Sequence, residues 1–375
     1  MSNFGLYIHV PFCIKRCTYC SFYSTTRGKK ERGAFMHTLI EEMRARPASQ
    51  PISSVYWGGG TPSQLDAEEL EQSFEALRTH YELSPTAEIT FEANPDDIDE
   101  AKARHLYSLG VNRVSLGVQS FDNAMLRTLN RRHDAQQARA AVEAIRRAGI
   151  ENVSIDLIYG LPSQSHEQWE LDVRAALALD IQHLSAYALS YEPGTVLYKQ
   201  LRQGLVQETD EELSLRMFRT LIAHCHTAGL EQYEISNFAL PHYESRHNSS
   251  YWAGTPYIGL GPGAHSYDGK TTRRHNQDSL ARYTESIDGI VPHTLEELSI
   301  TEQQNEMIMT RLRTREGLAL PLFAQQFGAI AQEHLLQAAR PHLQKGWLSL
   351  EKDRLSLSYE GIFVSDYVMA DLMAD

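Results

Sequence analysis

The chain is poor in cysteine, has no excess of positive charge and contains no long apolar run. Four of its 375 residues are cysteines, and three of these stand close together near the N-terminus. Disulfide pairing within such a cluster would leave one thiol unpaired, so the spacing points to metal binding rather than to a disulfide-rich secreted fold. A net charge of -13 argues against a surface that coats nucleic acid, which would be basic. No segment has the length to span a bilayer or the pattern of a signal peptide, and we expect a cytoplasmic protein.

Short β-rich runs alternate with amphipathic helical patterns over the first two thirds of the chain. Strands are expected at residues 6–10, 54–57, 88–92, 113–118, 153–158, 183–189 and 232–235. Helices are expected at residues 32–45, 67–80, 99–108, 134–148, 165–179 and 209–228. This rhythm implies parallel strands joined by right-handed crossovers. It predicts an α/β fold, a full or partial (β/α) barrel with its functional groups at the C-terminal strand ends, and a doubly wound open sheet is the alternative.

The pattern changes after residue 236, so we expect three parts. Residues 1–236 would form the barrel domain, 237–290 a connecting segment of long ordered loops, and 291–375 a small C-terminal helical domain. The C-terminal part shows helical patterns at residues 295–313, 320–327 and 331–344, then a hairpin that turns near Lys352–Asp353. Helices followed by a hairpin indicate a winged-helix-like domain, for which the acidic balance of the chain favours a packing or lid role over nucleic-acid binding.

The cysteine cluster, Cys13, Cys17 and Cys20, has one thiol fewer than a four-ligand metal site needs. A structural zinc site would take His9 as its fourth ligand. An iron–sulfur cube accounts for the number differently, because three thiolates bind three irons and the fourth iron stays open for a small molecule. Such an open position distinguishes a reactive metal site from a structural one. Cys225 lies in an amphipathic helical pattern and is expected to be a buried core thiol.

The CxxxCxxC spacing, with Tyr19 before the third cysteine and a strand before the first, resembles the radical S-adenosylmethionine (SAM) superfamily. The resemblance implies a full or partial (β/α) barrel of the radical SAM type that binds a [4Fe–4S] cluster through the three cysteines. In that superfamily the open iron chelates the amino and carboxylate groups of SAM. An electron from the cluster then cleaves SAM to methionine and a deoxyadenosyl radical, while the barrel orients and shields the reaction.

Further motifs place glycine or polar residues at the ends of successive predicted strands. The motif GGGTP contains Gly59, Gly60 and Thr61, and its glycines would let backbone groups approach the amino-acid part of SAM closely. Glu92, in FEANPDD, offers a carboxylate to ribose hydroxyls. The remaining strand-end candidates are Gln119 in GVQSF, Arg131 in LNRRH and Asp156 in SIDLIYGLP. Each alone is compatible with an ordinary polar strand end, but together they predict one site.

The order of motifs from YIHVPFC to IGLGPGAHSY is similar, over nearly the whole chain, to the branch that contains oxygen-independent coproporphyrinogen III oxidase (HemN) and HemW. The resemblance implies contacts to a cluster-bound SAM from the residues Tyr7, Gly59, Glu92 and His265. It implies contacts to a second SAM from the residues Gly60, Thr61, Gln119, Arg131, Asp156 and Ala188. The matches of Tyr7, Ala188 and His265 are matches of position only.

Two features separate the branches. The oxidase motif has a fourth cysteine two residues after the third, where this chain has Phe22, as in the HemW pattern. HNSSYW, residues 247–252, resembles the HNxxYW motif that is associated with haem binding in HemW proteins. We therefore expect His247 to be an axial ligand of haem iron, with His242, His265 and His275 as the competing candidates. A loop with an Asn turn and a half-buried Trp is the alternative interpretation of the motif.

The resemblance thus implies a haem chaperone that binds the cluster, SAM and haem and delivers haem to acceptors such as respiratory haem enzymes. It also implies an electron donor, no nucleic-acid partner, and membrane contact only transiently through an acceptor. No residue is assigned a catalytic role. The alternative is an enzyme, a coproporphyrinogen III oxidase that decarboxylates two propionates oxidatively. An RNA-modifying radical SAM enzyme is disfavoured by the net charge.

Overall fold

Parallel strands in sequence order form the centre of the structure, a computed structural model that describes residues 4–374. Strands of the larger, 12-stranded sheet are β1 (Gly5–Val10), β2 (Ile52–Gly59), β3 (Leu83–Ala93), β4 (Arg113–Gln119), β5 (Asn152–Tyr159), β6 (His183–Ala188), β7 (Glu231–Glu234), β8 (Asn237–Ala239), β9 (Tyr257–Leu260), β10 (His265–Tyr267), β11 (Thr272–Asn276) and β12 (His293–Glu297). A 3-stranded sheet near the C-terminus contains β13 (Leu318–Ala319), β14 (Leu348–Glu351) and β15 (Arg354–Leu357).

Helices connect and cover these strands. They are α1 (Lys29–Ala45), α2 (Ala67–His80), α3 (Glu100–Ser108), α4 (Asn123–Thr128), α5 (Ala135–Arg147), α6 (His166–Leu177), α7 (Val196–Arg202), α8 (Glu211–Thr227), α9 (Arg246–Trp252), α10 (Leu280–Thr284), α11 (Ile300–Leu312), α12 (Leu320–Phe327), α13 (Ala329–Gln344), α14 (Tyr359–Ile362) and α15 (Ser365–Leu372). Reciprocal caps start several of them, for example Asp66 with Glu69 in α2 and Ser165 with Gln168 in α6. Among residues 4–374, no helix is both long enough and apolar enough to cross a membrane.

The strands β1 to β6 lie side by side in sequence order and are parallel. A doubly wound sheet would reverse its strand order at a switch point, so the continuous order is that of a singly wound barrel. The sheet ends at β12 on one side and at β7 on the other, which makes the barrel partial. The predicted α/β partial barrel is therefore confirmed, and the first five predicted strands lie inside the observed ones.

Alternation along the central strands separates an apolar face from a polar face. On β4, Val114, Leu116 and Val118 are buried in the main hydrophobic core. The intervening Ser115 and Gly117 line the cavity described below. Full burial of each such aliphatic side chain stabilises the fold by roughly 1.5–3 kcal/mol, so the two-residue period fixes which side chains face the cavity.

Residues 237–290 differ from the predicted long loops. They contain the strands β8 to β11 and the helices α9 and α10. β9 pairs in parallel with β1, and β10 and β11 extend the same sheet in antiparallel fashion. These strands have three to five residues each and are separated by Gly- and Pro-containing turns, so they produce little periodicity in the sequence.

The C-terminal part has a hydrophobic core of its own. Its first helix begins at Ile300 rather than at residue 295, because β12 pairs with β11 and Ser299 forms a capping box with Glu302. The predicted hairpin turn is confirmed, with left-handed φ values of 49° at Lys352 and 61° at Asp353. The domain boundaries at residues 236 and 290 stay predictions.

Candidate functional site

A cavity of about 510 Å³ lies at the C-terminal ends of the central parallel strands. The predicted site residues that line it are Cys13, Cys17, Cys20, Gly59, Gly60, Thr61, Glu92, Gln119, Arg131, Asp156 and Ala188. Parallel strands end at the same edge of a sheet, and for this reason residues far apart in sequence meet here. The predicted cofactor-binding residues Tyr7 and His247 are not among those lining the cavity.

The three clustered cysteines lie on the loop that follows β1, and their thiols are free. Backbone hydrogen bonds close the base of this loop: Cys13 N–H donates to the Thr25 carbonyl at 2.9 Å, and Thr25 N–H donates to the Pro11 carbonyl at 2.7 Å. Farther along, Thr18 N–H donates to the Leu129 carbonyl at 3.2 Å. The loop is therefore tied to the end of β1 and to the segment after α4, which keeps the thiols at the cavity.

The sulfur atoms have polar neighbours inside the cavity. Cys13 Sγ lies 3.4 Å from Thr61 Oγ1, and Arg131 Nη1 donates to Cys17 Sγ at 3.3 Å. Burial raises the pKa of the Cys13 thiol and raises that of Cys20 to about 11. Burial thus disfavours free thiolates at Cys13 and Cys20, and a bound metal would favour the charged form of both sulfurs.

His9, the candidate fourth ligand of a zinc site, has both ring nitrogens engaged. Nδ1 lies 3.2 Å from the Tyr7 hydroxyl, and Nε2 lies 2.9 Å from the Tyr23 carbonyl oxygen. Within residues 4–374, no three His, Cys, Asp or Glu side chains converge on a single-ion site. In this structure His9 therefore has no free nitrogen to act as the fourth ligand of a zinc site. Cys225, in α8, is fully buried in the core, and burial raises the pKa of its thiol.

The glycines at the end of β2 are required by packing against the cysteine loop. Gly59 has a φ of +105°, and a Cβ there would lie 2.7 Å from ring atoms of His9. A Cβ on Gly60 would lie 2.8 Å from the carbonyl carbon of Pro11. Real side chains do not tolerate such distances, so any side chain here would displace the backbone or ring that supports the cysteine loop. Close approach to SAM stays a prediction for these glycines.

Two carboxylates, Glu92 and Asp156, line the cavity. Tyr56 donates a 2.6 Å hydrogen bond to Glu92 Oε1, and Ser115 donates a 3.2 Å hydrogen bond to Asp156 Oδ1. Desolvation raises the pKa of Glu92 to about 7, with a further contribution from the charge of Asp156. Burial also raises the pKa of Asp156, whereas the charge of Arg113 opposes both shifts. The wall therefore holds carboxylates that gain a proton more readily than exposed ones.

Arg131 connects the cysteines to the strand ends. Its Nη2 donates to Asn94 Oδ1 at 2.6 Å and to the Gly117 carbonyl, while Nη1 reaches Cys17. Beside it, Gln119 has a φ of 70°, and the pairing of β4 with β5 shifts between Gly117 and Gln119. Such bulges re-aim side chains next to ligand sites, and here the bulge turns Gln119 toward the cavity.

The HNSSYW motif forms helix α9 rather than a loop, and its histidine is enclosed. The His247 side chain is 1% exposed. Its Nδ1 lies 3.0 Å from Ser54 Oγ, and its Nε2 lies 2.8 Å from the Tyr251 hydroxyl. From this motif it is Asn248 that lines the cavity. The expected haem ligand therefore has no free nitrogen in this structure.

Among the cavity residues that were not predicted are Tyr56, Arg113, Tyr187 and Asn248. Three of them could have been found from strand alternation, since Tyr56, Arg113 and Tyr187 sit on β2, β4 and β6 at positions that alternate with core residues. Arg113 is 1% exposed, and its Nε and Nη1 have no hydrogen-bond partner among the described residues. No periodic signal marks Asn248, because α9 is only two turns long.

Comparison with known proteins identifies two domains in the chain. The radical SAM superfamily matches residues 7–176, and the HemN C-terminal domain matches residues 298–364. The haem chaperone HemW of Bacillus subtilis (strain 168) is 32% identical over 375 residues, which cover 98% of this chain and 99% of that protein. The chain belongs to the HemW family of radical SAM proteins.

Other relatives agree with this membership of the HemW family. HemW of Mycobacterium tuberculosis (strain ATCC 25618 / H37Rv) is 35% identical, covering 99% of this chain and 95% of that protein. Among solved structures, coproporphyrinogen III oxidase (HemN) from Escherichia coli has a TM-score of 0.86, with 100% of this chain and 90% of that chain covered. At 23% identity, this likeness shows that the fold is shared.

Proposed function

We propose that the protein is a haem chaperone of the HemW type, which binds a [4Fe–4S] cluster and SAM and delivers haem to acceptor proteins. The observation that carries the proposal is the meeting of three free thiols, a glycine-rich strand end and the Glu92 carboxylate at one cavity. The chaperone role is supported by full-length relatives that carry the name haem chaperone. Acceptors would be haem enzymes such as those of respiration, and membrane contact would occur transiently through them.

The donor set at the cavity suits an iron–sulfur cube with one open iron. Its lining contains three cysteines and no histidine, and Phe22 lies two residues beyond the last of them. The N–H···S contact from Arg131 to Cys17 is of the kind that tunes iron–sulfur sites. Cys13, Cys17 and Cys20 would hold the cluster, which when reduced supplies one electron to SAM. An electron donor is therefore part of the proposal.

The strand ends around the thiols suit SAM. The cavity volume of about 510 Å³ lies in the range of small-molecule sites. Glu92 would accept hydrogen bonds from ribose hydroxyls, and the buried carboxylates would attract the positive charge of the sulfonium group. Gln119, Arg131 and Asp156 provide further polar contacts along the same edge. Together these residues would orient SAM and keep bulk water from it.

The proposal is tested with anaerobically reconstituted protein. We expect the absorbance and the reduced-state EPR signal of a [4Fe–4S] cluster, SAM binding in equilibrium dialysis, and a saturable shift of the Soret band on haem titration. Haem should then pass to a haem-free cytochrome, measured by the acceptor's own spectrum. Absence of saturable haem binding would contradict the chaperone role.

The alternative, coproporphyrinogen III oxidase activity, is separated by product analysis. The same reconstituted protein is incubated with coproporphyrinogen III, SAM and a reductant, and the porphyrins are identified by mass. We expect no loss of the propionate carboxyl groups. Stoichiometric or catalytic decarboxylation would replace the chaperone proposal with an enzymatic one.

A further inference from the structure

Helix α9 is packed against the inner face of the barrel strands. The backbone N–H groups of Arg246 and His247 donate to the Glu88 carboxylate at 3.1 and 3.2 Å. Glu88 lies on β3, the strand that also carries Glu92, and Ser54 lies opposite it on β2. The start of the helix is thus fixed to the two strands that form one wall of the cavity.

The other end of α9 contacts the C-terminal part of the chain. The Arg313 guanidinium lies 4.7 Å from the ring centroid of Trp252, and Arg313 also donates to Glu234 at 3.0 Å. Arg311 donates to the Ala253 carbonyl at 2.7 Å. With both ends held, the helix has little freedom to move away from the strands.

The His247 imidazole is a neutral ring held by hydrogen bonds and by stacking. Burial lowers its pKa to about 3, so one nitrogen donates and the other accepts in the bonds to Ser54 and Tyr251. The ring stacks on Tyr56 with 5.1 Å between centroids and on Tyr7 with 6.3 Å. Ligation of haem iron would require loss of a buried hydrogen bond and exit from this stack, which is unfavourable.

One ring of this stack, Tyr56, is hydrogen-bonded to the Glu92 carboxylate. Tyr56 has His247 on one side, and its hydroxyl donates the 2.6 Å hydrogen bond to Glu92. Both Tyr56 and Asn248 line the cavity. The position of the Glu92 oxygens therefore depends on the ring of Tyr56, which in turn packs on His247.

We propose that the HNSSYW helix belongs to the SAM site. His247 is a positioning residue, which holds Glu92 in place through Tyr56. Asn248 contacts the bound SAM. This inference rests on the proposed SAM binding. It gives the motif a role that does not involve haem iron, and it assigns two residues to the site that lie far from the cysteines in sequence.

Full-length reconstituted protein is compared as wild type, His247→Ala and His247→Gln. SAM affinity is measured by equilibrium dialysis from pH 6 to 8, and haem affinity by Soret titration. We expect about tenfold weaker SAM binding in His247→Ala, the effect of losing an ordered hydrogen bond at the site. Gln can bond Ser54 and Tyr251, so His247→Gln should recover most of the affinity. Haem affinity and spectra should equal those of wild type in both variants.

The pH dependence distinguishes positioning from loss of structure. The hydrogen bond from Tyr56 lowers the pKa of Glu92, so disturbing it should move the pH midpoint of SAM binding upward. The other charged or titratable groups near Glu92 are Tyr7, Arg113, Asp156, Tyr187 and Tyr251. Tyr56→Phe removes only the hydroxyl and should give the same upward shift, whether or not His247→Ala folds.

Any of three results overturns the inference. The first is a His247→Ala variant that has wild-type SAM affinity and a wild-type pH midpoint of SAM binding, and the second is an unchanged pH midpoint in Tyr56→Phe. The third is loss of the axial-ligand signature from the haem spectrum of His247→Gln. Asn248→Ala should weaken SAM binding without moving the midpoint, and wild-type affinity there removes the proposed contact. His226→Ala, at an exposed histidine of α8, is the matched control for SAM binding. If wild-type protein binds no SAM, the proposed function itself fails and the inference falls with it.

Discussion

Arg131 Nη1 lies 3.3 Å from Cys17 Sγ and donates a hydrogen bond to it. The same guanidinium is anchored by Asn94 and by the Gly117 carbonyl, so its position relative to the sulfur is fixed from two sides. A positive charge and an N–H donor at a ligand sulfur stabilise the reduced form of an iron–sulfur cluster, which carries one more negative charge.

Arg131→Met is therefore expected to lower the midpoint potential of the cluster, since both the charge and the hydrogen bond are lost. Arg132→Met is the matched control: it removes a charge one residue away, but that side chain pairs with Asp96 and Asp97 rather than with sulfur. An anaerobic redox titration followed by EPR measures both. Equal potentials in the two variants would show that the sulfur contact has no effect.

Replacing Cys13, Cys17 or Cys20 by Ser should abolish the absorbance and EPR signal of the cluster, because each thiolate would bind a different iron. Cys225→Ala should keep both signals, since Cys225 lies in the hydrophobic core and not in the cavity lining. Iron and sulfide analysis on each reconstituted variant checks the result. Stoichiometric zinc in anaerobically purified wild-type protein, with no uptake of iron and sulfide, would contradict the cluster.

Much of the site could be predicted because it depends on strand ends. Gly59, Glu92, Gln119 and Asp156 each lie at or near the last residue of a parallel strand, and the register of such a sheet brings these ends together. Ala188, the last residue of β6, was expected from the family resemblance alone. The cysteine spacing lies within one loop, so it needs no tertiary information. Local sequence was enough for both features.

The environment of His247 could not be predicted, because it depends on contacts distant in sequence. Its helix begins with hydrogen bonds to Glu88, and its ring bonds Ser54, far earlier in the chain. His, Asn and Ser have no strong helix preference, so the local sequence of this segment predicts a loop. An exposed ligand histidine and a buried, hydrogen-bonded one have the same local sequence.

Gly59→Ala should destabilise the fold and loosen the cysteine loop. A change in SAM affinity in this variant would therefore not be evidence of a direct contact between Gly59 and SAM. Its φ of +105° disfavours any side chain, and the new Cβ would meet the His9 ring. A loss of about 1–3 kcal/mol in the free energy of unfolding is expected. Gly33→Ala is the control, because Gly33 lies in α1, where an added methyl group would meet no atom within 4 Å, and the change should be neutral or stabilising. Thermal unfolding of both apo-proteins measures the difference, and equal unfolding temperatures would contradict the packing argument.

SAM affinity should rise with pH between 6 and 8, because the Glu92 carboxyl has a pKa raised to about 7 in the absence of ligand. Below that value the group is mostly protonated and loses an acceptor for ribose hydroxyls, so binding at pH 6 should be about tenfold weaker than at pH 8.

Glu92→Gln should bind SAM weakly and without this pH dependence. Asp156→Asn removes the neighbouring charge that raises the pKa of Glu92, and should shift the midpoint to lower pH. Equilibrium dialysis with labelled SAM at constant ionic strength gives all three profiles. A flat wild-type profile, or a Glu92→Gln profile that keeps the wild-type midpoint, would assign the titration to another group and remove Glu92 from the ribose contact.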